Sequence, residues 1–304
     1  MDDPATSYDE FEHLPDHIKA LGLATEEPPP VRRTEVQVGP DQSLSALVWG
    51  KGEPELVLLH GGGQNSHTWD GLALLLGRPL VAIDLPGHGH SSWRADRDYW
   101  PWANAAVVAS AWQQLAPKAR NLIGMSLGGL TAIRLASVRP DLPERLVVID
   151  VTPGVGKRSA AMSAQQRGAS ALTSEPPVYE SFEKMAARAI ELSPHRSPIA
   201  VRRGVLHNAV ELPDGTWRWR YDVLHREGDT VPSFGDLWDD VSALKVPVML
   251  VRGQLSGHVG DDDVAEFVRR QPGLRVETVD GAGHAVQSDQ TVALSRLVDD
   301  FLYG

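Results

Sequence analysis

No cysteine occurs in the 304 residues. That excludes disulfide staples, a thiolate nucleophile, and Cys-ligated zinc or iron–sulfur centres. A surplus of positive charge is also missing: 29 Lys and Arg stand against 40 Asp and Glu, a formal charge of −11. A chain of that sign repels phosphate backbones, so nucleic acid is not an expected partner. Nor does the sequence hold an uninterrupted apolar run of the ~20 residues that a bilayer crossing needs, so no membrane partner is expected. The opening stretch MDDPATSYDEFEHLP is acidic and lacks the basic and apolar regions of a secretory signal, which predicts a cytoplasmic protein. What is present, 42% hydrophobic and 23% charged residues, is the balance of a globular chain with a sizeable core. The length suits one large α/β domain carrying an insertion.

Short apolar runs bounded by Gly and Pro recur along the chain: LVLLHG from Leu56, PLVAIDLPG from Pro79, NLIGMS from Asn121, RLVVIDV from Arg145 and VPVMLVRG from Val246. Runs of that length predict strands buried on both faces. Further strands are expected at 34–38, 44–49 and from Leu274. Helical segments are expected at 69–76, 103–115, 127–138, 263–270 and 292–302. Strands alternating with helices predict a mostly parallel, doubly wound sheet. The alternation stops over 156–240, which reads as a helical insertion with helices near 163–172 and 181–192. Residues 1–30, with one amphipathic helix around 11–23, read as an extension. The expected division is 1–30, a core of 31–155 and 241–304, and the insertion 156–240.

Three motifs carry chemistry. Gly124-Met125-Ser126-Leu127-Gly128 lies between an apolar strand and an Ala/Leu-rich helix, the Gly-x-Ser-x-Gly elbow whose small residues let the backbone turn sharply and expose the serine Oγ. The Leu127 amide, at the start of that helix, is placed to bind an oxyanion. His60-Gly61-Gly62-Gly63 ends an earlier strand with bare backbone that can approach a ligand closely. The Gly62 amide is the second expected donor, with Gly63 the near alternative. A phosphate loop is not favoured, because the Gly-Lys-Ser/Thr ending is missing. Among eleven histidines, His284 in VDGAGHAVQSD stands just past the last strand and is the expected base. His88 and His90 in DLPGHGHSSW compete as polar loop residues, His88 as one that lines the site.

Together HGGG, DLPGHGHSS, GMSLGG and GAGHAVQSD resemble the α/β-hydrolase fold superfamily in order and placement, over roughly residues 34–303. The resemblance implies an eight-stranded, mostly parallel sheet with a helical cap inserted after strand six, and a triad in the order Ser, acid, His. It makes Ser126 the nucleophile and His284 the base, with oxyanion amides from Gly62 and Leu127. The acid departs from the common pattern. Three residues past the glycine ending the seventh strand stands Ser256, not Asp. Some members carry the acid after strand six, where Asp150 follows four apolar residues. Asp150 is therefore the expected acid, with Asp261, Asp262 and Asp263 as alternatives. Those three otherwise read as the N-cap (Asp261) and favourable first-turn charges of the next helix.

No metal and no organic cofactor is expected. The partner is a small, apolar molecule, and Trp217 and Trp219 of the insertion, with Trp93, Trp100, Trp102, Tyr221 and Trp238, are candidates for an apolar pocket or for plain packing. No signature of oligomeric state is present. Serine at the elbow disfavours the dehalogenase and epoxide-hydrolase branches, which use Asp. The leading expectation is hydrolysis of a carboxylic ester or lactone through an acyl-enzyme. The alternatives are cleavage of a carbon–carbon bond in a vinylogous diketone and a non-catalytic binding module.

Overall fold

The computed structural model describes residues 8–25, 27–174, 178–194, 196–222 and 233–304. Its strands are β1 (Val31–Gly39), β2 (Gln42–Trp49), β3 (Leu56–Leu59), β4 (Leu80–Ile83), β5 (Asn121–Met125), β6 (Arg145–Ile149), β7 (Val178–Tyr179), β8 (Ala209–Glu211), β9 (Trp217–Trp219), β10 (Val248–Gly253) and β11 (Arg275–Val279). Eight of them form one sheet in the order β1-β2-β4-β3-β5-β6-β10-β11. Only the β1–β2 and β2–β4 pairs are antiparallel. This is the mostly parallel sheet that the alternation predicts, with the eight strands that the family resemblance implies.

Burial on both faces follows residue by residue. In β3, Val57 and Leu59 enter one core cluster and Leu56 and Leu58 the other. β6 and β10 divide the same way, Leu146 and Val148 against Val147 and Ile149, and Val248 and Leu250 against Met249 and Val251. Each such side chain contributes about 1.5–3 kcal/mol by leaving water. That double burial is why these strands are continuous apolar runs rather than alternating ones. Parallel pairing also sends the carboxyl ends of β3, β5, β6, β10 and β11 to one edge, where all the chemistry-bearing loops emerge.

Between β6 and β10 the chain leaves the sheet. It forms the helices Val155–Ala161, Ala164–Arg167, Phe182–Glu191 and Pro198–Asn208, with a separate apolar cluster that includes Met185, Leu192, Val205 and Trp219. Two expectations change here. The helix expected over 163–172 breaks at Gly168 into a 3-10 segment, Gly168–Ser174. The aromatic string from Trp217 is β9, the middle strand of a small antiparallel sheet ordered β7-β9-β8. Trp-Arg-Trp-Arg has a period of two, and the Pro213-Asp214-Gly215 turn before it, with Gly215 at φ +80°, closes a hairpin: the Gly215 and Leu212 amides donate to Leu212 and Thr216 oxygens. Within the insertion, 175–177, 195 and 223–232 lie outside the described residues.

Residues 1–7 and 26 of the expected extension also lie outside them. The helix there is shorter than the pattern suggests, Leu14–Ala20, begun by Pro15 in its first turn. Leu14 and Ile18, one turn apart, enter the core cluster that holds Trp69 and Leu72. No described helix is long and apolar enough to cross a membrane.

Candidate active site

Ser126 stands at the turn from β5 into the helix Leu127–Val138 with φ 51° and ψ −119°, a region that a side chain other than glycine's rarely occupies. Close packing of strand and helix enforces that turn. A Cβ on Gly128 would lie 2.2 Å from the Leu59 oxygen, and one on Gly124 2.3 Å from the Gly128 oxygen. Both glycines of the elbow are thus needed for approach. The Ser126 amide is anchored on the Ile149 oxygen at 3.0 Å.

The Ser126 hydroxyl donates to His284 Nε2 at 3.1 Å, and His284 Nδ1 donates to Asp150 Oδ2 at 2.7 Å. Asp150 directly follows β6, is fully buried, and also takes a positive φ, 52°. Two more donors satisfy its carboxylate: the Gly253 amide on Oδ1 at 3.0 Å, and the Ser256 hydroxyl on Oδ2. Three donors thus meet the hydrogen-bonding demand of a carboxylate that burial would otherwise leave unpaired.

The acidic alternatives do not reach the imidazole. Asp261 pairs with Arg252, and Asp262 and Asp263 with Arg158. The N-cap of their helix is Gly260 rather than Asp261. Its amide donates to Asp263 Oδ2 at 3.0 Å, so the third acid closes the first turn, which an Asp at the cap position would otherwise do.

His258 was not anticipated. Its ring stacks on that of His284 with centroids 3.6 Å apart and planes 16° apart. Burial, then the neighbouring charges of His284 and Arg167, push its pKa down to about 2, so it is neutral at all working pH values. The available signal was a second histidine two residues from Ser256 in the loop that lacks the usual acid.

Gly62 and Gly63 both line the cavity above Ser126. Neither amide, nor that of Leu127, donates to an acceptor among the described residues, whereas the Gly61 amide is taken by Gln64 Oε1 at 3.1 Å. The Gly63 oxygen is held by Asn208 Nδ2 at 2.6 Å. His60 staples the loop below: its Nδ1 donates to the Gly61 oxygen and its Nε2 accepts from the Leu85 amide. Burial lowers its pKa and keeps it neutral for that role.

Of the remaining candidates, Trp219 lines the cavity, stacked on Tyr221 with centroids 5.7 Å apart. Trp217 does not; two residues back on the same face of β9, it lies beyond the cavity and meets Phe182 edge-on. His88 does not line the cavity either. It is fully buried beneath the loop, Nδ1 donating to the Pro86 oxygen, and burial drives its pKa to about 3. Trp100 and Trp102 pack on Phe234, and Trp238 on Phe267, which are packing roles.

The cavity holds about 430 Å3. Ser126 and His284 lie in its wall together with Leu172, Leu192, Val201 and Trp219, and the wall continues to His17, Asp70 and Arg203. Among the described residues, two groups of three side chains bring possible metal ligands within 4.8 Å of one another: Asp150 with His258 and His284, and His67 with Asp70 and His207. In the second, both nitrogens of His67 are engaged, by Asp70 and Glu10, with an Arg33 guanidinium nitrogen 3.3 Å from Nε2. That guanidinium opposes a cation there.

The sequence profile described as "Alpha/beta hydrolase family" matches residues 56–297. The esterase Rv0045c of Mycobacterium tuberculosis is 47% identical over 298 residues, covering 98% of this chain and 97% of that one. A solved structure of the same esterase superposes with a TM-score of 0.86 at 45% identity, over 98% of this chain and all of the other. The sn-1-specific diacylglycerol lipase ABHD11 of Mus musculus is 30% identical over 261 residues, 82% of this chain and 81% of that one.

Proposed function

The chain belongs to the alpha/beta hydrolase family, and from that premise we propose that it is a serine esterase working through Ser126, His284 and Asp150. The unbroken line of hydrogen bonds from the Ser126 hydroxyl through His284 to buried Asp150 carries this reading. Likeness to a named esterase over almost the whole chain supports the choice of a carboxylic ester.

In the proposed mechanism His284 Nε2 takes the Ser126 proton as Oγ attacks the ester carbonyl carbon. Asp150 fixes the imidazole tautomer and stabilises the imidazolium. The amides of Gly62 and Leu127, free of other partners among the described residues, receive the developing oxyanion; each such donor is worth about 10²–10³ in turnover. His284 then protonates the departing alkoxide, and the acyl-enzyme forms. Water activated by the same imidazole attacks it, restoring Ser126 and releasing the acid. Residues 156–240 act as the cap over the core of 31–155 and 241–304, supplying Trp219 and the other apolar walls that admit a modest-sized ester and exclude water. We place the protein in the cytoplasm.

The test is labelling of the chain by a fluorophosphonate, with Ser126→Ala as the blank, alongside hydrolysis of short p-nitrophenyl esters. Labelling confined to the wild type, with ester turnover abolished in Ser126→Ala, is expected. A folded wild type that labels no faster than the blank overturns the proposal and leaves a binding module.

A further inference from the structure

The cavity contains more positive charge than an apolar ester needs. Arg167, Arg196 and Arg203 all contribute to its wall, while its carboxylates among the described residues are Asp70 and Asp289. This stands out in a chain with a net charge of −11. Elsewhere the arginines find close partners: Arg139 meets Asp141, Arg269 meets Glu266 and Arg275 meets Asp300, each at 2.6 or 2.7 Å.

The cavity arginines are less well neutralised. Arg196 stands in the loop between the helices Phe182–Glu191 and Pro198–Asn208, and its Nε is closed off from solvent without a hydrogen-bond acceptor among the described residues. Its nearest carboxylate oxygen, Asp289 Oδ1, is 3.5 Å away, long for a charge-assisted hydrogen bond, which runs at about 2.7–2.9 Å. Asp289 spends its other oxygen on the Gly283 amide at 2.8 Å. Arg203, on the helix Pro198–Asn208, has no carboxylate within ion-pair distance among the described residues. Burial and the Arg203 charge both hold Arg196 below its ordinary pKa, the sign of a guanidinium short of counter-charge. Burying such a group is costly unless something pairs with it.

Position turns this surplus into a reading of the substrate. Gly283 is the residue before His284, and Asp289 bridges from its amide to Arg196, so the guanidinium lies one carboxylate away from the loop that holds the base. A guanidinium offers a planar fork that matches a carboxylate through two parallel hydrogen bonds. We infer that Arg196, with Arg203 beside it, binds an ionised carboxylate of the substrate, so that the preferred substrates are esters carrying a free carboxylate a few carbons from the scissile bond. The remaining apolar wall, Leu172, Leu192 and Val201 among it, covers the connecting carbons. This inference rests on the proposed serine mechanism.

Matched ester pairs test it. On the acyl side, p-nitrophenyl half-esters of glutaric and adipic acid are compared with the esters of the methyl-ended acids of equal length. On the alcohol side, acetates of ω-hydroxy acids are compared with acetates of the matching alcohols. In at least one series the wild type should favour the anionic member in kcat/KM by roughly ten- to hundredfold, the worth of one charge-assisted pairing. Arg196→Gln should bring that ratio towards one through KM, and Arg196→Lys should retain part of it.

A wild-type ratio near one in both series overturns the inference. So does an equal fall for both members in Arg196→Gln, which is what a purely structural ion pair with Asp289 would give. Should Arg196→Gln fail to fold, the wild-type ratio and the Lys variant decide. Fluorophosphonate labelling of Ser126 separates the two proposals: a labelled wild type without charge preference loses only the carboxylate site, and an unlabelled, inactive one loses both.

Discussion

The Ser256 hydroxyl donates to Oδ2 of Asp150, the same oxygen that receives His284 Nδ1. Ser256 holds the place in the loop after β10 where the family resemblance leads one to look for the acid. Its oxygen supplies a proton to a carboxylate that comes from the neighbouring strand instead. β6 and β10 run parallel with Ile149 beside Val251, so the loops that follow the two strands open onto the same pocket. One negative charge fits there, and two carboxylates so close could not both ionise at low cost.

Removing the charge tests this directly. Asp150→Asn should lower turnover by about 10⁴, the effect seen when the acid of a serine-protease triad is neutralised. Adding Ser256→Asp to a chain that keeps Asp150 should also be harmful, because the second acid repels the first. Combining Ser256→Asp with Asp150→Ser returns one acid to the pocket from the other strand, and should recover at least tenfold over Asp150→Ser alone. Fluorophosphonate labelling rates measure all four chains; no recovery in the double variant would show that β10 cannot present the acid in reach of His284.

Asp261 offers the contrasting case. Its side chain is 92% exposed and its partner Arg252 lies across the surface. Exposed ion pairs are worth about 0–1 kcal/mol. Asp261→Asn should therefore leave both the labelling rate and ester turnover within about twofold of wild type. A large loss would move the acid to the helix start at Gly260.

His258 shapes the pH profile by staying out of it. With its pKa near 2, well below the ordinary 6.5, it takes up no proton where the enzyme works. The acid limb of kcat/KM should then fall with unit slope, with no second ionisation from His258. His258→Phe, which keeps a flat ring over His284, should preserve that slope. A limb of slope two in the wild type, becoming one in the Phe variant, would mean that His258 titrates in the working range. Stability carries the opposite sign of information. The unfolded chain protonates His258 below pH 6.5 and the folded one does not, so its neutral burial costs stability progressively as pH falls.

The features most legible in the sequence were those with steric necessity behind them. Gly124, Gly128 and the apolar strands were readable because a close approach or double burial restricts residue choice at each position. Asp150 was a candidate through the family resemblance, which allows an acid after strand six, and the structure sets it beside His284. What stayed hidden depends on side chains meeting across long separations. His258 over His284, and Arg196 beside Asp289, are contacts that no local pattern encodes. Trp217 and Trp219 show the intermediate case: both were visible as aromatics on one face of a strand, but only the packing of the insertion decides that Trp219 reaches the cavity beside Tyr221 while Trp217 meets Phe182. The Pro213-Asp214-Gly215 turn before them was a hairpin signal within the sequence's own terms.

The N-terminal segment is fastened by charges whose titration sets a pH window. Glu10 hydrogen-bonds His67 Nε2 and Arg33, which in turn holds Asp84, and His67 Nδ1 donates to Asp70. Burial would raise the Glu10 pKa, but hydrogen bonds from His67 and Arg33 and the Arg33 charge outweigh it and hold it at about 2. Burial would likewise lower the His67 pKa, yet Asp70 and Glu10 raise it to about 9. The Glu10 contribution is complete above its unfolded pKa of 4.5 and is lost as pH falls through about 2. That of His67 is complete below 6.5 and is lost as pH rises through about 9. The two overlap fully only between those unfolded values, so the fastening is strongest in mildly acidic solution. Glu10→Gln should lower Tm at pH 6 by roughly 2–5 °C, the effect of one charge-assisted hydrogen bond in a chain this long. The difference from wild type should shrink at pH 10, where His67 is neutral in both. Calorimetric melting curves across pH decide it: an equal deficit at pH 6 and pH 10 would mean that Glu10 acts through packing or Arg33 alone and that His67 carries no charge in the fold.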